Sequence, residues 1–412
     1  MNSESITVSL ITDHFGDDGT SGGRLMQDVA DAWVVAGFGV HVITESVARP
    51  ASACVPTYHS DAPLVIDART GAANRHVGLT RRSVREVGFC IWAAWRVVLG
   101  RSRTSVLVVL SSPALLPVFG MLAAHLCRLR YIVVEMDVFP DNAVALGMMR
   151  PYSFLLKVVR SLFKATLRGA TRVVVLGSCM EALVRERYLG EERRNRLVTI
   201  QNWADGARIL PMAKEASVLY AGHSEVHGKF IVQFFGNLGK LAEFDTMLAS
   251  ANLLKNEEVV FVLMGMGIEA CSLETRIAEM GLTNVFMWGA IPEEEQRDAL
   301  ACCDVALITL REATLGVSVP SKLYPTMAMG RPVVAVVPDL SETASTVREG
   351  RFGYVVAPGH PSELASALMT LKNDDQLRMD MGQRSREMFE RRFDKPTGTA
   401  RYVHLVEEVI HG

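Results

Sequence analysis

Four glycine-containing loops follow apolar, strand-like runs, and two of them carry a lysine. In Phe235-Gly236-Asn237-Leu238-Gly239-Lys240 the glycines let backbone N–H groups approach a ligand, and the lysine adds a positive charge. We read Lys240 as standing at a helix start, where free N–H groups also favour an anion. The richest loop is Gly316-Val317-Ser318-Val319-Pro320-Ser321-Lys322-Leu323-Tyr324. There a hydroxyl, an ammonium and unpaired N–H groups meet at a predicted helix start behind a proline, the composition of a diphosphate site. Met264-Gly265-Met266-Gly267 is a third strand-end turn, expected near the same ligand. The fourth loop, Gly19-Thr20-Ser21-Gly22-Gly23-Arg24, precedes another predicted helix. Its spacing fits neither G-x-G-x-x-G nor the Walker pattern, so it supports neither a dehydrogenase nor a P-loop enzyme.

Those loops need strands and helices to hold them. The first half of the chain alternates strand and helix: Ile6–Ile11, helix 23–36, Val40–Thr44, then Val106–Leu110, Tyr131–Glu135 and Arg172–Leu176. The second half restarts the pattern with Phe230–Phe235, Val259–Met264, Asn284–Trp288, Val305–Thr309 and Pro332–Val336. Such alternation predicts parallel sheets covered by helices on both faces. Periodicity fades between Asp205 and Gly228, which we read as a linker. The expected division is 1–205, 206–394 and an amphipathic last stretch, 395–412, that returns to brace the first domain. Two such α/β units bind ligands at the carboxyl ends of their strands.

A length of 412 residues with 49% apolar and 21% charged residues describes a globular protein of two or three domains. The formal net charge of −2 excludes a polyelectrolyte that grips nucleic acid through bulk charge. Seven cysteines with no C-x-x-C pair argue against a disulfide framework or zinc knuckle, and for a reducing, cytoplasmic setting. Mean hydropathy is high, +0.19. The charge-free stretch from Thr104 to Cys127 is broken by Ser111-Ser112-Pro113 and reads as strand, turn and core helix rather than a membrane span.

Charge is unevenly spread. Residues 51–200 carry an excess of 11 basic residues, and residues 201–350 an excess of 8 acidic ones. Lys157, Arg160, Lys164 and Arg168 form one helical stripe beside Phe154, Leu155, Val158, Val159, Leu162 and Phe163. Trp92, Trp95 and Arg96 lie in a second basic-apolar stretch. Two readings stand: ordinary surface helices, or a first domain resting on an anionic membrane surface.

The run from Val319 to Val334, with Asn237-Leu238-Gly239-Lys240 upstream, resembles the retaining glycosyltransferases of the GT-B fold, family 4, in the branch that builds bacterial exopolysaccharide and O-antigen chains. Glu135-Met136-Asp137-Val138-Phe139-Pro140-Asp141 resembles that branch's E-x-R-D-x-W-P-D motif, and Gln201-Asn202-Trp203-Ala204-Asp205 its P-N-W-A-D motif. Gly353-Tyr354-Val355-Val356 followed by Pro361-Ser362-Glu363-Leu364 resembles the family's G-x-x-V…D-x-x-x-L close. The resemblance covers nearly the whole chain. It implies two Rossmann-like domains facing a central cleft, and sugar transfer with retention from a nucleotide-diphosphate donor to a saccharide acceptor, expected to be lipid-linked, at the inner face of the cytoplasmic membrane. By it, Lys240, Ser321 and Lys322 hold the diphosphate, Gly22 and Gly23 approach it, and Gly289, Ala290 and Ile291 line the base. No metal or other cofactor is implied.

One departure stands out. Many family members carry two glutamates with seven residues between them before A-M-A-x-G; here Val317 and Pro325 occupy those places. By the resemblance the second glutamate contacts the ribose; either a neighbouring group, Tyr324, replaces it or donor binding is weak, and Glu312 lies in the same loop. For an acceptor-side base we look to Asp137 and Asp141, whose ordinary alternative is capping a turn. His14, beside Asp13, is a further candidate base. Asn202 and Asp205 fit an interdomain hinge. Two rivals share the shape: a catalytically inactive scaffold or partner subunit, and a nucleotide-sugar epimerase.

Overall fold

The computed structural model describes residues 6–16, 21–47, 64–69 and 79–412. Gly19 and Thr20 of the glycine loop before the first helix, and Cys54, lie outside these residues. The chain divides into two units: Met1–Gln201 with Gly316–Ser318 and Gly398–Gly412, and Asn202–Leu315 with Val319–Thr397.

Apolar β-branched runs become the strands of two parallel sheets. The first unit holds β1 (Thr7–Phe15), β2 (Gly39–Val47), β3 (Leu64–Ala68), β4 (Val106–Leu110), β5 (Arg130–Val134), β6 (Arg172–Val175) and β7 (Leu197–Thr199). Their order is β3-β2-β1-β4-β5-β6-β7, with Leu10 registered between Val42 and Val108. The second unit holds β8 (Phe230–Phe235), β9 (Val259–Met264), β10 (Val285–Gly289), β11 (Val305–Thr309), β12 (Val333–Val336) and β13 (Gly353–Val356), in the order β10-β9-β8-β11-β12-β13. Both units are therefore Rossmann-like α/β folds, as expected. Each has one place where strand order reverses, between β1 and β4 and between β8 and β11. At such a switch point the loops leave in opposite directions and open a crevice above the strand ends.

The strands are buried on both faces. In the second unit Val232, Phe234, Phe261 and Leu307 meet Leu248, Leu273 and Leu368 on one side. On the other, Ile308 and Ala335 meet Tyr324, Met327 and Phe389. Each such side chain contributes roughly 1.5–3 kcal/mol by leaving water. In the first unit the Thr104–Cys127 stretch is β4, a turn and the helix Leu116–Cys127, as read from sequence. Among the described residues no helix is long and apolar enough to cross a membrane. The last helix, Lys395–His411, buries Tyr402, Leu405, Val406 and Val409, and the carbonyl of Tyr402 accepts from Trp33 Nε1 at 3.2 Å.

The supposed linker is a structured part of the second unit. Lys214 pairs with the Asp304 carboxylate at 2.7 Å, and both groups are largely buried. Asp298 accepts from the backbone N–H groups of Val218 and Leu219, both at 2.8 Å, at the start of the short helix Val218–Gly222. Periodicity fails there because these turns are held by side-chain anchors, not by an apolar stripe.

Candidate functional site

In the second unit the switch point is flanked by the loops after β8 and β11, the two that carry Lys240 and Lys322. Three glycines fasten the neighbouring loops together. Gly236 N donates to Met264 O at 2.9 Å, Gly265 N to Gly289 O at 2.6 Å, and Leu238 N to Met266 O at 2.9 Å. Gly265 has φ +141°, and a methyl group there would stand 1.8 Å from the Gly236 carbonyl oxygen. Close backbone approach demands glycine at this point. The result is a floor of main chain at the ends of β8, β9 and β10.

Lys322 lies against this floor. Its Nζ sits 3.5 Å from the centre of the Phe234 ring, and a side chain at Gly236 would meet its Cε at 3.5 Å. The residue as a whole is half-buried, but its ammonium end is enclosed, and no carboxylate pairs with it among the described residues. Desolvation alone pulls its pKa from 10.5 down to about 7. A cation held this way is stabilised by any anion that reaches it. The aromatic face offers only weaker compensation.

The other expected donor residues are placed unevenly. Asn237 and Lys240 are exposed in the loop after β8. Lys240 is not at a helix start: the helix begins at Asp245, and Glu243 accepts from Thr246 N at 3.0 Å there. The intervening residues are tied down by backbone bonds such as Arg311 N to Leu241 O, 2.9 Å, which leave Lys240 in a turn. Ser321 is half-buried and immediately precedes Lys322, the residue that opens the six-residue helix Leu323–Ala328. Gly289 and Ala290 are exposed at the end of β10, and Ile291, like Trp288, packs against the buried cluster of Ile231, Val260 and Met264. Trp288 stacks on His223 with ring centres 3.7 Å apart, a wall that sequence reasoning missed because His223 lay in the supposed linker. Tyr324 must be corrected. It is 1% exposed, its ring packed on Phe393 at 5.1 Å, so it cannot face a ribose. Helical geometry turns it inward once Lys322 faces the glycine floor. Glu312 is exposed in the turn Glu312–Thr314.

The first unit places carboxyls at its strand ends. Asp13, near the end of β1, accepts from Ser112 Oγ at 2.7 Å across the switch point. His14 Nε2 stands 3.7 Å from Asp13 Oδ2, and Ser46 Oγ lies 3.3 Å from its Nδ1. Gly22 and Gly23 fall in the first turn of the helix Ser21–Val35, and Gly23 O accepts from Gly16 N at 3.2 Å. Asp137 follows β5, bridged by backbone to Ser318, with Val138 N donating to Val317 O at 2.9 Å. Burial raises its pKa, and a hydrogen bond with the Ser318 side chain opposes the shift. Ser318, expected beside the donor, is thus grouped with the first unit and engaged with Asp137.

Asp141 is committed elsewhere. Its buried carboxylate receives Arg160 at 2.6 Å together with Arg187 and Tyr188. With two guanidinium groups and a phenol upon it, Asp141 is an anchor rather than a base. Through these contacts Asp141 ties the turn four residues after Asp137 to the helix Phe154–Gly169 and to Arg187 and Tyr188. The missed group is Glu135. It is 1% exposed, and desolvation followed by the nearby Asp137 charge raises its pKa to about 8, opposed by a hydrogen bond with the Ser111 side chain. A glutamate ending an otherwise apolar strand was the available signal. No group of three or more His, Cys, Asp or Glu side chains is placed to hold a metal among the described residues.

Comparison with known proteins agrees with this layout. Residues 229–374 match the model for "Glycosyl transferases group 1". The chain is 35% identical over 260 residues to "Probable glycosyltransferase WbjE" of Pseudomonas aeruginosa, an alignment spanning 63% of this chain and 64% of that one, just under two thirds of the relative's length. Among solved structures, Anabaena Alr3699/HepE in complex with UDP-glucose superposes with a TM-score of 0.71 at 16% identity, covering 98% of this chain and 100% of that one. WaaG, described as a glycosyltransferase involved in lipopolysaccharide biosynthesis, superposes with a TM-score of 0.67 at 14% identity, covering 97% and 99%. The fold is that of the GT-B glycosyltransferase structures.

Proposed function

We propose that the protein is a glycosyltransferase of polysaccharide or lipopolysaccharide assembly. It moves a sugar from a nucleotide-diphosphate donor to a saccharide acceptor. The observation that carries this reading is Lys322, an enclosed ammonium without a carboxylate partner, set against a glycine floor at a switch point. A diphosphate is the anion that suits it, because exposed Lys240 leaves the adjacent β8 loop and supplies a second positive charge. The Trp288–Ile291 segment, with His223 stacked behind it, suits a nucleobase. Support also comes from the group 1 match over this unit and from a HepE structure that holds UDP-glucose.

The finer features belong to the same proposal. Transfer proceeds with retention: the departing diphosphate, stabilised by Lys322 and Lys240, takes the acceptor's proton as the new bond forms on the same face of the sugar. Asp137 orients the acceptor hydroxyl. The side-chain cations meet the leaving-group charge without a metal. The acceptor is lipid-linked, and the enzyme works at the inner face of the cytoplasmic membrane.

A thermal-shift panel of nucleoside diphosphates and their sugars tests the reading, with transfer assayed for the sugar that binds. One nucleotude family should raise Tm selectively, and its sugar should be transferred. Binding without transfer to any saccharide would favour the inactive scaffold, and no shift with any nucleotide would overturn the donor site.

A further inference from the structure

Three helices of the first unit bury one apolar face and expose another. On the helix Leu79–Leu99, Val84, Ile91, Trp95 and Leu99 recur at helical spacing and are 74%, 55%, 59% and 59% exposed. On the helix Leu116–Cys127, Leu122 and Leu126 point outward. On the helix Phe154–Gly169, Phe154, Leu155, Val158 and Leu162 do the same, opposite buried Leu156, Phe163 and Leu167. The second of these helices packs against both of the others, so the stripes belong to neighbouring elements. A monomeric soluble surface rarely carries so much contiguous apolar area without a use.

Its charge is one-sided. Between Glu86 and Glu135, and again between Asp141 and Glu181, the sequence holds basic residues and no acid. Arg101, Arg103, Arg128, Arg150, Lys157 and Lys164 are exposed and form no ion pair among the described residues. The basic stripe read from sequence is narrower than expected: Arg160 is spent on Asp141, and Arg168 on the carbonyls of Tyr188 and Leu189. What remains is apolar side chains interleaved with free cations, including a tryptophan suited to a headgroup boundary. Protein partners of matching chemistry would have to be both acidic and apolar along three helices. An anionic bilayer offers both properties everywhere.

We propose that this three-helix face docks on an anionic phospholipid bilayer, with the leucine, valine, phenylalanine and tryptophan side chains entering the headgroup boundary and Lys157, Lys164 and the arginines meeting lipid phosphates. It gives the lipid-linked acceptor reading a definite surface, and its functional sense rests on that reading. Among the described residues no helix would span the bilayer in this arrangement.

Vesicle co-sedimentation of the full chain tests it. Binding is expected to vesicles containing phosphatidylglycerol, to be absent with phosphatidylcholine alone, and to weaken with salt. Lys157→Gln with Lys164→Gln should weaken binding about 30-fold, at about one tenfold step per 1.4 kcal/mol and the usual contribution of a basic residue near the surface. Leu155→Glu with Leu162→Glu should abolish it. These positions are exposed, so the fold and the nucleotide thermal shift should survive. That separates failure here from failure of the donor site. Absence of binding to anionic vesicles at low salt, or binding that ignores both double variants, overturns the proposal. So does a stable dimer in sedimentation velocity that the leucine variants dissociate.

Discussion

The two switch points are built on the same strand geometry and carry opposite chemistry. In the second unit the loops at the reversal bring an enclosed lysine, an exposed lysine and close-packed glycine backbone. In the first unit the strand ends carry Asp13, Glu135 and Asp137, with Asp141 just behind. The contrast teaches that a Rossmann-like sheet fixes where a ligand sits, while loop composition fixes its charge. Cations and N–H groups suit a diphosphate, and carboxyls suit a hydroxyl donor such as a sugar.

The sharpest way to break this comparison is Asp141→Ala. If Asp141 is an anchor, its loss leaves Arg160 and Arg187 facing a buried hole and lowers stability by about 3–5 kcal/mol, read by chemical denaturation. A base exposed to an acceptor would instead leave stability unchanged and remove activity.

Glu135 gives the next largest effect. Its folded pKa, about 8, lies above its ordinary value of 4.5, so its contribution to stability is complete below about pH 4.5 and is lost as pH rises through 8. Across that window the loss is on the order of 5 kcal/mol. Glu135→Gln should flatten the difference between denaturation curves at low and high pH relative to the parent chain. An unchanged slope would mean that the carboxyl is not enclosed.

Lys322→Ala should weaken nucleoside diphosphate binding about 10- to 150-fold, the range expected for a hydrogen bond to a charged group, with the fold retained. Lys240→Ala should lose less, because Lys240 is exposed and its attraction is screened. If the two lysines suffice for the leaving diphosphate, chelation of divalent ions should leave the transfer rate unchanged, the smallest effect of the set.

Much of this was legible in the amino-acid order. Phe230–Phe235, Val259–Met264 and Val305–Thr309 were placed to the residue, because fully buried parallel strands are unbroken apolar runs. The edge strands β3, β7 and β13 were not: Leu64–Ala68, Leu197–Thr199 and Gly353–Val356 are short and only partly buried, so they lack that signature. The candidate lysines were visible from composition. What composition could not convey was orientation. Asp141 and Tyr324 both sit in suggestive motifs, yet one is claimed by Arg160 and Arg187, 19 and 46 residues away, and the other faces Phe393 in the core. Such engagements are non-local, so no local pattern announces them. Glu135 ends a strand-like run in plain view, but its complete burial beside Asp137, which sets its chemistry, is equally a product of the fold.

The central claim is that Lys322 meets the diphosphate, and calorimetry of nucleoside diphosphate binding in buffers of different ionisation enthalpy tests it most directly. With a free pKa near 7, Lys322 is mostly neutral at pH 8 and must take up a proton to hold the anion. We predict uptake of about one proton per nucleotide bound at pH 8, abolished by Lys322→Ala. Tight binding with no proton uptake, unchanged by that substitution, would contradict it.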